Sequence, residues 1–161
     1  MNVQGTHHMA APREAVFDAI RDPRVLLAVI PGCEAVEEVG PDEYEGRISL
    51  RLPGAVGRYR THVRLVDVDA PERAGLDGTV EGPMGSIAGR AAFTLAEDAP
   101  PAGRAPDDRA PAGTTISWHG SGTIQGPLAR LDGRFAERLA ESLVEQGLRA
   151  LDVRLTTEGP E

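Results

Sequence analysis

The side chains best suited to metal binding in this 161-residue chain are its four histidines. His7 and His8 are neighbours on a predicted strand, so they point to opposite faces and cannot bind the same metal ion. His62 and His119 fall on outward positions of two other predicted strands, and neither has a second ligand at zinc-site spacing. The pattern therefore predicts no metal site.

Nucleophilic or acid–base catalysis would need Cys33, a pair of carboxylates or an inward histidine. Cys33 has no base near it in the sequence, which favours a buried structural thiol over a catalytic one. The carboxylates within 37–38 and 42–45 fall at the surface and in a turn, where they are typical of solvated charge. His7 faces inward, either as a hydrogen-bonded core histidine or as a contact for a polar ligand head. We predict no catalytic residue and a protein that is not an enzyme.

The composition narrows the remaining function classes. The formal net charge is -8 and hydrophobic residues make up 40% of the chain, which favours an acidic globular domain that does not bind nucleic acid. No apolar run approaches the roughly 20 residues that span a bilayer, and the first residues contain no secretory signal. The single cysteine allows no internal disulfide and suits a reducing cytoplasm, which is the predicted location. Lysine is absent, which excludes Schiff-base chemistry.

A stripe of arginines lies on the predicted outer face of the sheet. Surface ion pairing with Glu45 and Glu81 is one interpretation of this stripe. The alternative is a docking patch for an acidic partner or for lipid headgroups. The patch consists of Arg47, Arg51, Arg58, Arg60 and Arg64.

Alternating apolar residues and turn signals predict a run of strands interrupted by two short helices. Residues 2–9 form the first strand, the two helices follow at about 11–20 and 22–30, and six strands come next. Residues 97–113 are rich in Pro, Ala, Asp and Gly and are predicted to form a long hairpin loop. The six predicted strands are Ala35–Val39, Tyr44–Leu52, Arg58–Val68, Ala74–Glu81, Ser86–Leu95 and Thr114–Gly122.

A helical period begins at Pro127 and continues to Leu151. About 25 residues at ~1.5 Å each give a helix of roughly 37 Å, long enough to cross a whole sheet. The sheet cannot bury its apolar face alone, so we expect this helix to cover it. The predicted fold is α+β, a helix-grip domain over residues 1–154, with a seven-stranded curved antiparallel sheet around the long C-terminal helix. Residues 155–161 are predicted to be a disordered polar tail.

The inward strand positions mix large side chains with glycine and alanine, which withhold volume from the interior. The predicted helix stripe also carries Ser142 and Gln146, which a dry core would disfavour. These observations predict an apolar cavity, although glycines that only allow sheet curvature under a tightly packed helix fit the pattern equally well. The predicted cavity residues are Leu50, Tyr59, Val63, Leu76, Phe93, Trp118, Phe135 and Leu139.

Two predicted turns carry apolar residues where polar ones are usual. We interpret these turns as a gate at the cavity mouth or as a tip that touches a membrane. The residues concerned are Leu52, Pro53, Val56 and Met84.

Two segments carry recognisable motifs. The first, within residues 30–44, contains Pro-Gly-Cys-Glu, Glu-Glu-Val-Gly and Asp-Glu-Tyr, and the second is the Gly-Pro-Leu-Ala-Arg-Leu of residues 126–131, followed by Arg134 and Leu139. Both resemble the G-subunit family of carbon monoxide dehydrogenase, which belongs to the START-like superfamily of polyketide cyclases and lipid-transfer proteins. The order of elements between the motifs also matches, so the resemblance covers nearly the whole chain.

The resemblance implies a small cytoplasmic accessory protein with a hydrophobic pocket for a quinone or lipid-like molecule and no other cofactor. Its implied partner is a molybdenum hydroxylase of the carbon monoxide dehydrogenase type, with peripheral contact at the inner face of the cell membrane. Two alternatives stay open. One is a cyclase-like or dehydratase-like enzyme, which needs an inward acid–base pair, and the other is a protein–protein adaptor whose core is filled.

Overall fold

The computed structural model describes residues 1–98 and 112–157, which form one curved sheet and three α-helices. The helices are α1 (Arg13–Ile20), α2 (Pro23–Val29) and α3 (Gly133–Thr157). All seven strands of this sheet are antiparallel and lie in the spatial order β1-β7-β6-β5-β4-β3-β2, which confirms the predicted fold class. The strands are β1 (Asn2–Met9), β2 (Cys33–Gly40), β3 (Glu43–Leu50), β4 (Gly57–Asp69), β5 (Arg73–Gly82), β6 (Gly85–Glu97) and β7 (Thr114–Gln125).

The two short helices connect β1 at one edge of the sheet to β2 at the other. Asp22 caps α2, because its side chain accepts a hydrogen bond from the Arg24 backbone N–H at 2.9 Å. Pro23 fits the first turn, where its missing N–H would have no helical partner. Val16 and Phe17 of α1 are buried against the sheet.

Five strands are longer than predicted, β1 has the predicted bounds, and β3 ends at Leu50, two residues before the predicted end. The central pair β6 and β7 stays in register from Ser86 opposite Gln125 to Glu97 opposite Thr114. The predicted loop after β6 falls largely on residues 99–111, which lie outside the described part of the chain.

The predicted single helix from Pro127 to Leu151 is wrong at both ends. Pro127–Arg130 form a short 3-10 helix, Leu131 is extended, and α3 begins at Gly133. Asp132 starts α3, since its Oδ1 accepts hydrogen bonds from the N–H groups of Arg134 (3.0 Å) and Phe135 (3.2 Å). The helix continues to Thr157, so residues 155–157 of the predicted tail are helical, and residues 158–161 lie outside the described part.

Helix α3 runs along the edge strand β1, where carboxylates on one side of the helix accept hydrogen bonds from exposed backbone N–H groups of the strand. Two strand residues advance by about 6.7 Å and four helix residues by about 6 Å, so the two elements stay in step. We call these carboxylates the acidic stripe. The pairs are Asn2 with Glu137 (2.5 Å), Gln4 with Glu141 (2.9 Å) and Ala10 with Asp152 (3.0 Å).

Two separate groups of buried side chains stabilise the concave face of the sheet. The main core joins α1, α2 and the C-terminal half of α3 to the sheet, and it includes Phe17, Phe93, Leu95, Ile116 and Leu151. The distal cluster lies at the opposite end of the strands. It consists of buried Ala55, Tyr59 and Leu128 with partly buried Leu50, Leu52, Val80, Met84, Ile87, Ile124 and Leu131 packed against them.

Candidate ligand-binding site

Between the main core and the distal cluster, the concave face carries glycine, alanine, valine and leucine residues that belong to neither. Two neighbouring cross-strand rows make up this region, and on the four central strands every residue in them except Leu65, which is 8% exposed, is only partly buried. Rows two residues apart are separated by about 6.7 Å, so the region extends roughly 13 Å along the strands. We call it the central trough. On strands β4 to β7 its rows are Val63, Gly78, Gly89 and Gly122, and Leu65, Leu76, Ala91 and Gly120.

The central trough has open space at Gly78. A Cβ placed on Gly78 would meet the His62 carbonyl oxygen at 3.5 Å and Val63 Cγ2 at 3.6 Å, and nothing else within 4 Å. The three atoms nearest to a Cβ on Gly120 likewise come from neighbouring strands, at 3.1 to 3.5 Å. The space above Gly78 could therefore take additional apolar atoms.

The N-terminal half of α3 faces this region loosely. Leu139 and Leu143 share a helical stripe with the buried Leu151, but they are only partly buried and belong to neither packed group. Ser142 and Gln146, expected to face the interior, are exposed. Their side chains form a hydrogen bond with each other at 3.1 Å, which corrects that part of the argument for a cavity.

The eight residues predicted to line a cavity are divided among five environments. Val63 and Leu76 lie in the central trough, and Leu139 is partly buried on the helix. Phe135 is 38% exposed at the start of α3, so the predicted inward position is wrong for this residue. Leu50 and Tyr59 belong to the distal cluster, and Phe93 and Trp118 to the main core and its border. Ligand contact by these residues stays a prediction.

Trp118 marks the border between the main core and the trough. Its indole ring lies against Gly5 of β1, where a Cβ would come within 2.7 Å of Cζ2. Directly opposite, Phe93 packs against Phe17 with ring centroids 6.0 Å apart. Any side chain at position 5 would displace the indole, so this glycine is required for close packing.

The predicted gate residues are divided in the same way. Leu52 and Met84 pack on the distal cluster, whereas Pro53 is exposed and Val56 is 60% exposed. The loops are joined here, because the Leu128 N–H donates a hydrogen bond to the Met84 carbonyl oxygen at 2.7 Å. Two of the four residues therefore close this end of the fold, and the other two project from it.

Four of the five predicted docking arginines lie on the outer face of β3 and β4, and Arg51 lies in the loop that follows β3. Arg58 pairs with Glu34 at 3.2 Å, not with the expected Glu45 or Glu81. Arg47 and Arg60 are directly opposite each other on neighbouring strands, and neither makes an ion pair with a described residue. Like charges in such a pair repel each other, which leaves these guanidinium groups available to an acidic partner.

The groups considered for catalysis do not form a catalytic arrangement. Cys33 is partly buried, burial raises the pKa of its thiol, and its sulfur donates to the Ala35 carbonyl oxygen at 3.5 Å. His62 lies on the outer face against Glu43, at 2.9 Å. Within residues 1–98 and 112–157, no three His, Cys, Asp or Glu side chains are grouped closely enough to hold a metal ion.

Sequence reasoning missed the acidic stripe. Its spacing of four residues, Glu137 to Glu141, is the one available signal, and the same spacing is typical of an ordinary solvated helix face. Only the placement of α3 beside β1 shows that these carboxylates have backbone partners.

None of the helices in the described part of the chain combines the length and the apolar character needed to cross a bilayer. The sequence matches no curated protein.

Solved structures with the same fold are numerous. A conserved protein from Geobacillus kaustophilus has a TM-score of 0.84 at 20% identity, over 98% of this chain and 96% of that one. A START superfamily protein from Mycobacterium smegmatis has a TM-score of 0.72 at 12% identity, over 98% and 99%. At these identities the likeness shows the fold alone.

The family comparison is more specific. The model of the CoxG family, described as the G subunit of carbon monoxide dehydrogenase, matches residues 5–156, which include six complete strands, most of β1 and nearly all of α3. Both motifs singled out in the sequence fall within this match. The chain therefore belongs to the CoxG family of carbon monoxide dehydrogenase.

Proposed function

We propose that the central trough binds an apolar small molecule of quinone or lipid-like character, and that the protein is an accessory factor of a molybdenum hydroxylase. The observation that supports this most is the uncovered row of small residues between two well-packed groups. A protein that only needed a stable core would gain free energy by filling this space, because each additional buried CH₂ contributes about 0.8 kcal/mol.

The trough is suited to an acyl, isoprenoid or aromatic segment. Val63 and Leu76 supply apolar contact from the sheet, and Leu139 and Leu143 supply it from the helix. Burying about ten ligand carbons would contribute about 8 kcal/mol before the costs of association are subtracted. Micromolar affinity corresponds to about 8.2 kcal/mol net, so a ligand of that affinity must bury more than about ten carbons.

The enzyme and adaptor alternatives are less well supported. The inward positions of the central strands, 59–65 on β4, 74–82 on β5 and 87–95 on β6, carry no carboxylate, imidazole or guanidinium group. A cyclase or dehydratase would need such a pair close to its substrate. An adaptor would need no row of glycines on its concave face.

Native mass spectrometry of the purified protein, followed by organic extraction, tests the binding proposal. A stoichiometric apolar molecule is the expected result, and its structure would define the ligand class. A clean unliganded mass, together with no thermal shift on addition of quinones or fatty acids, would favour the adaptor.

We also propose that the loop of residues 51–57 contacts an anionic membrane surface when ligand is exchanged. Pro53 and Val56 project from it, and Arg51 and Arg58 flank it on a chain whose overall charge is negative. An apolar tip with basic neighbours is a typical arrangement for weak, salt-sensitive binding to anionic lipid.

Flotation with phosphatidylcholine vesicles, with and without phosphatidylglycerol, tests this contact. Val56→Asp should abolish binding to the anionic vesicles, whereas Val153→Asp, at a residue 63% exposed on α3, should not. Equal flotation of the two variants would contradict the proposal.

We propose that the molybdenum hydroxylase docks on the outer face of β3 and β4. Arg47, Arg60 and Arg64 lie there without ion pairs to described residues. Arg60→Glu should reduce co-purification of a molybdenum hydroxylase from the host. Arg90→Glu is the matched control, since Arg90 is exposed but pairs with Asp77 at 3.3 Å.

A further inference from the structure

One buried polar group has no role in the structure described so far. Tyr59 is 1% exposed, and its hydroxyl donates no hydrogen bond to any described residue. Leaving a buried hydroxyl without a partner costs about 1–3 kcal/mol. The other tyrosine of the chain, Tyr44, is also buried, but its hydroxyl donates to the Arg21 carbonyl oxygen at 3.0 Å.

The position of the Tyr59 ring is fixed by its neighbours. The ring lies over Gly82 of β5, where a Cβ would come within 2.3 Å of Cδ1, so position 82 must be glycine for the ring to lie there. Ala55 and Leu128 pack around it. The ring is therefore held in one place at the end of the concave face, four residues along β4 from Val63 of the central trough.

The protonation state of the Tyr59 hydroxyl follows from its surroundings. Burial raises the pKa of Tyr59, and hydrogen bonding from the Met84 backbone N–H to the phenol oxygen lowers it by less. The phenol therefore keeps its proton, and this proton has no acceptor among the described residues. Met84 packs beside it on a loop, and its flexible thioether side chain can move to admit another group.

We infer that the Tyr59 hydroxyl donates a hydrogen bond to an oxygen atom at the leading end of the bound apolar molecule. This inference rests on the proposed function of the trough and makes it more specific. The ligand class is an otherwise apolar molecule with one accepting oxygen, such as a quinone or ketone carbonyl, and not a plain hydrocarbon. The hydroxyl proton gains an acceptor when the ligand displaces the Met84 side chain.

The test uses two probes with the same bicyclic carbon skeleton, 2-methyl-1,4-naphthoquinone, which has two ring carbonyls, and 2-methylnaphthalene, which has none. Titrations by isothermal calorimetry compare the wild type with Tyr59→Phe and with Tyr44→Phe. We expect Tyr59→Phe to weaken quinone binding by about three- to tenfold, the effect of one neutral hydrogen bond, and to leave hydrocarbon binding unchanged. Tyr44→Phe should change neither affinity.

The stability of the unliganded variants gives a second, independent measurement. Tyr59→Phe should unfold in urea at the same denaturant concentration as the wild type or at a higher one, whereas Tyr44→Phe loses a hydrogen bond and should unfold earlier. A loss of stability in Tyr59→Phe equal to that in Tyr44→Phe would reveal an internal partner, such as a buried water, and would overturn the inference.

The binding outcomes separate the two proposals. An unchanged ratio of quinone to hydrocarbon affinity in Tyr59→Phe overturns the role of Tyr59 and leaves apolar binding intact. If neither probe binds the wild type, the proposed function fails, and the inference about Tyr59 fails with it.

Discussion

Filling the central trough should separate stability from binding. Leucine in place of Gly78 would put its Cβ at 3.5 to 3.6 Å from its nearest neighbours, which is ordinary van der Waals contact. Removing a glycine from a strand interior stabilises the sheet by about 0.5–1 kcal/mol. The free energy of unfolding of Gly78→Leu should therefore equal or exceed that of the wild type.

The same substitution should weaken ligand binding. The leucine side chain adds four carbons where we place the ligand, so the ligand loses burial of about that many carbons. At about 0.8 kcal/mol per buried CH₂ the loss is about 3 kcal/mol, or on the order of 100-fold in affinity. A Gly78→Leu variant that is more stable than the wild type but binds the ligand less tightly would show that Gly78 provides space for the ligand.

Ligand binding can be followed by the fluorescence of Trp118, because it is the single tryptophan of the chain and lies at the border of the trough. Quenching of its fluorescence by 2-methyl-1,4-naphthoquinone gives the affinity, and urea unfolding followed by circular dichroism gives the stability. Thr79→Leu is the matched control, since residue 79 is the next residue of β5 and is exposed on the opposite face. If Gly78→Leu binds the quinone as tightly as Thr79→Leu does, the ligand does not occupy the trough.

Other contacts give further predictions. Asp132→Ala removes the N-cap of α3 and should cost about 1 kcal/mol of unfolding free energy, measured in urea; an unchanged midpoint would show that the cap does not stabilise the helix. Thr114→Val removes a fully buried hydroxyl that donates to the Ala11 carbonyl oxygen at 2.7 Å, and should cost about 1–3 kcal/mol in the same assay. The backbone N–H of Arg24 holds the pKa of Asp22 below its ordinary value of 3.8, so the carboxylate stabilises the fold above that pH and this contribution is lost as the pH falls through the lowered pKa. Acid should therefore destabilise the wild type more than Asp22→Asn, and parallel stability curves for the two from about pH 5 to pH 2 would refute this.

Strand positions were predictable because side chains alternate strictly between the two faces of a sheet. Tyr59, Val63 and Leu76 were placed on the concave face from this alternation alone, and the register of the strands confirms it. The turns between β3 and β6 also fixed which strands are neighbours. The alternation gives no information on the distance between the helix and the sheet. The depth of the trough was therefore not predictable.

Helix positions were less predictable, for a specific reason. The apolar spacing of residues 127–131 fits a 3-10 helix as well as an α-helix. The start of α3 is set by the capping residue Asp132. The predicted stripe through Ser142 and Gln146 assumed that α3 crosses the sheet. Because α3 lies beside β1, a different side of the helix faces the concave surface, and these two residues are exposed.

The acidic stripe has a consequence for association between molecules. An edge strand with free N–H groups can pair with a strand of another chain and start aggregation. On β1, carboxylates of α3 accept hydrogen bonds from Asn2, Gln4 and Ala10, and so block part of this edge. The opposite edge, β2, is interrupted by irregular pairing near Cys33 and near Gly40. Release of α3 from β1 would therefore free the backbone N–H groups of this edge to pair with another chain, so the position of α3 also protects the protein against aggregation.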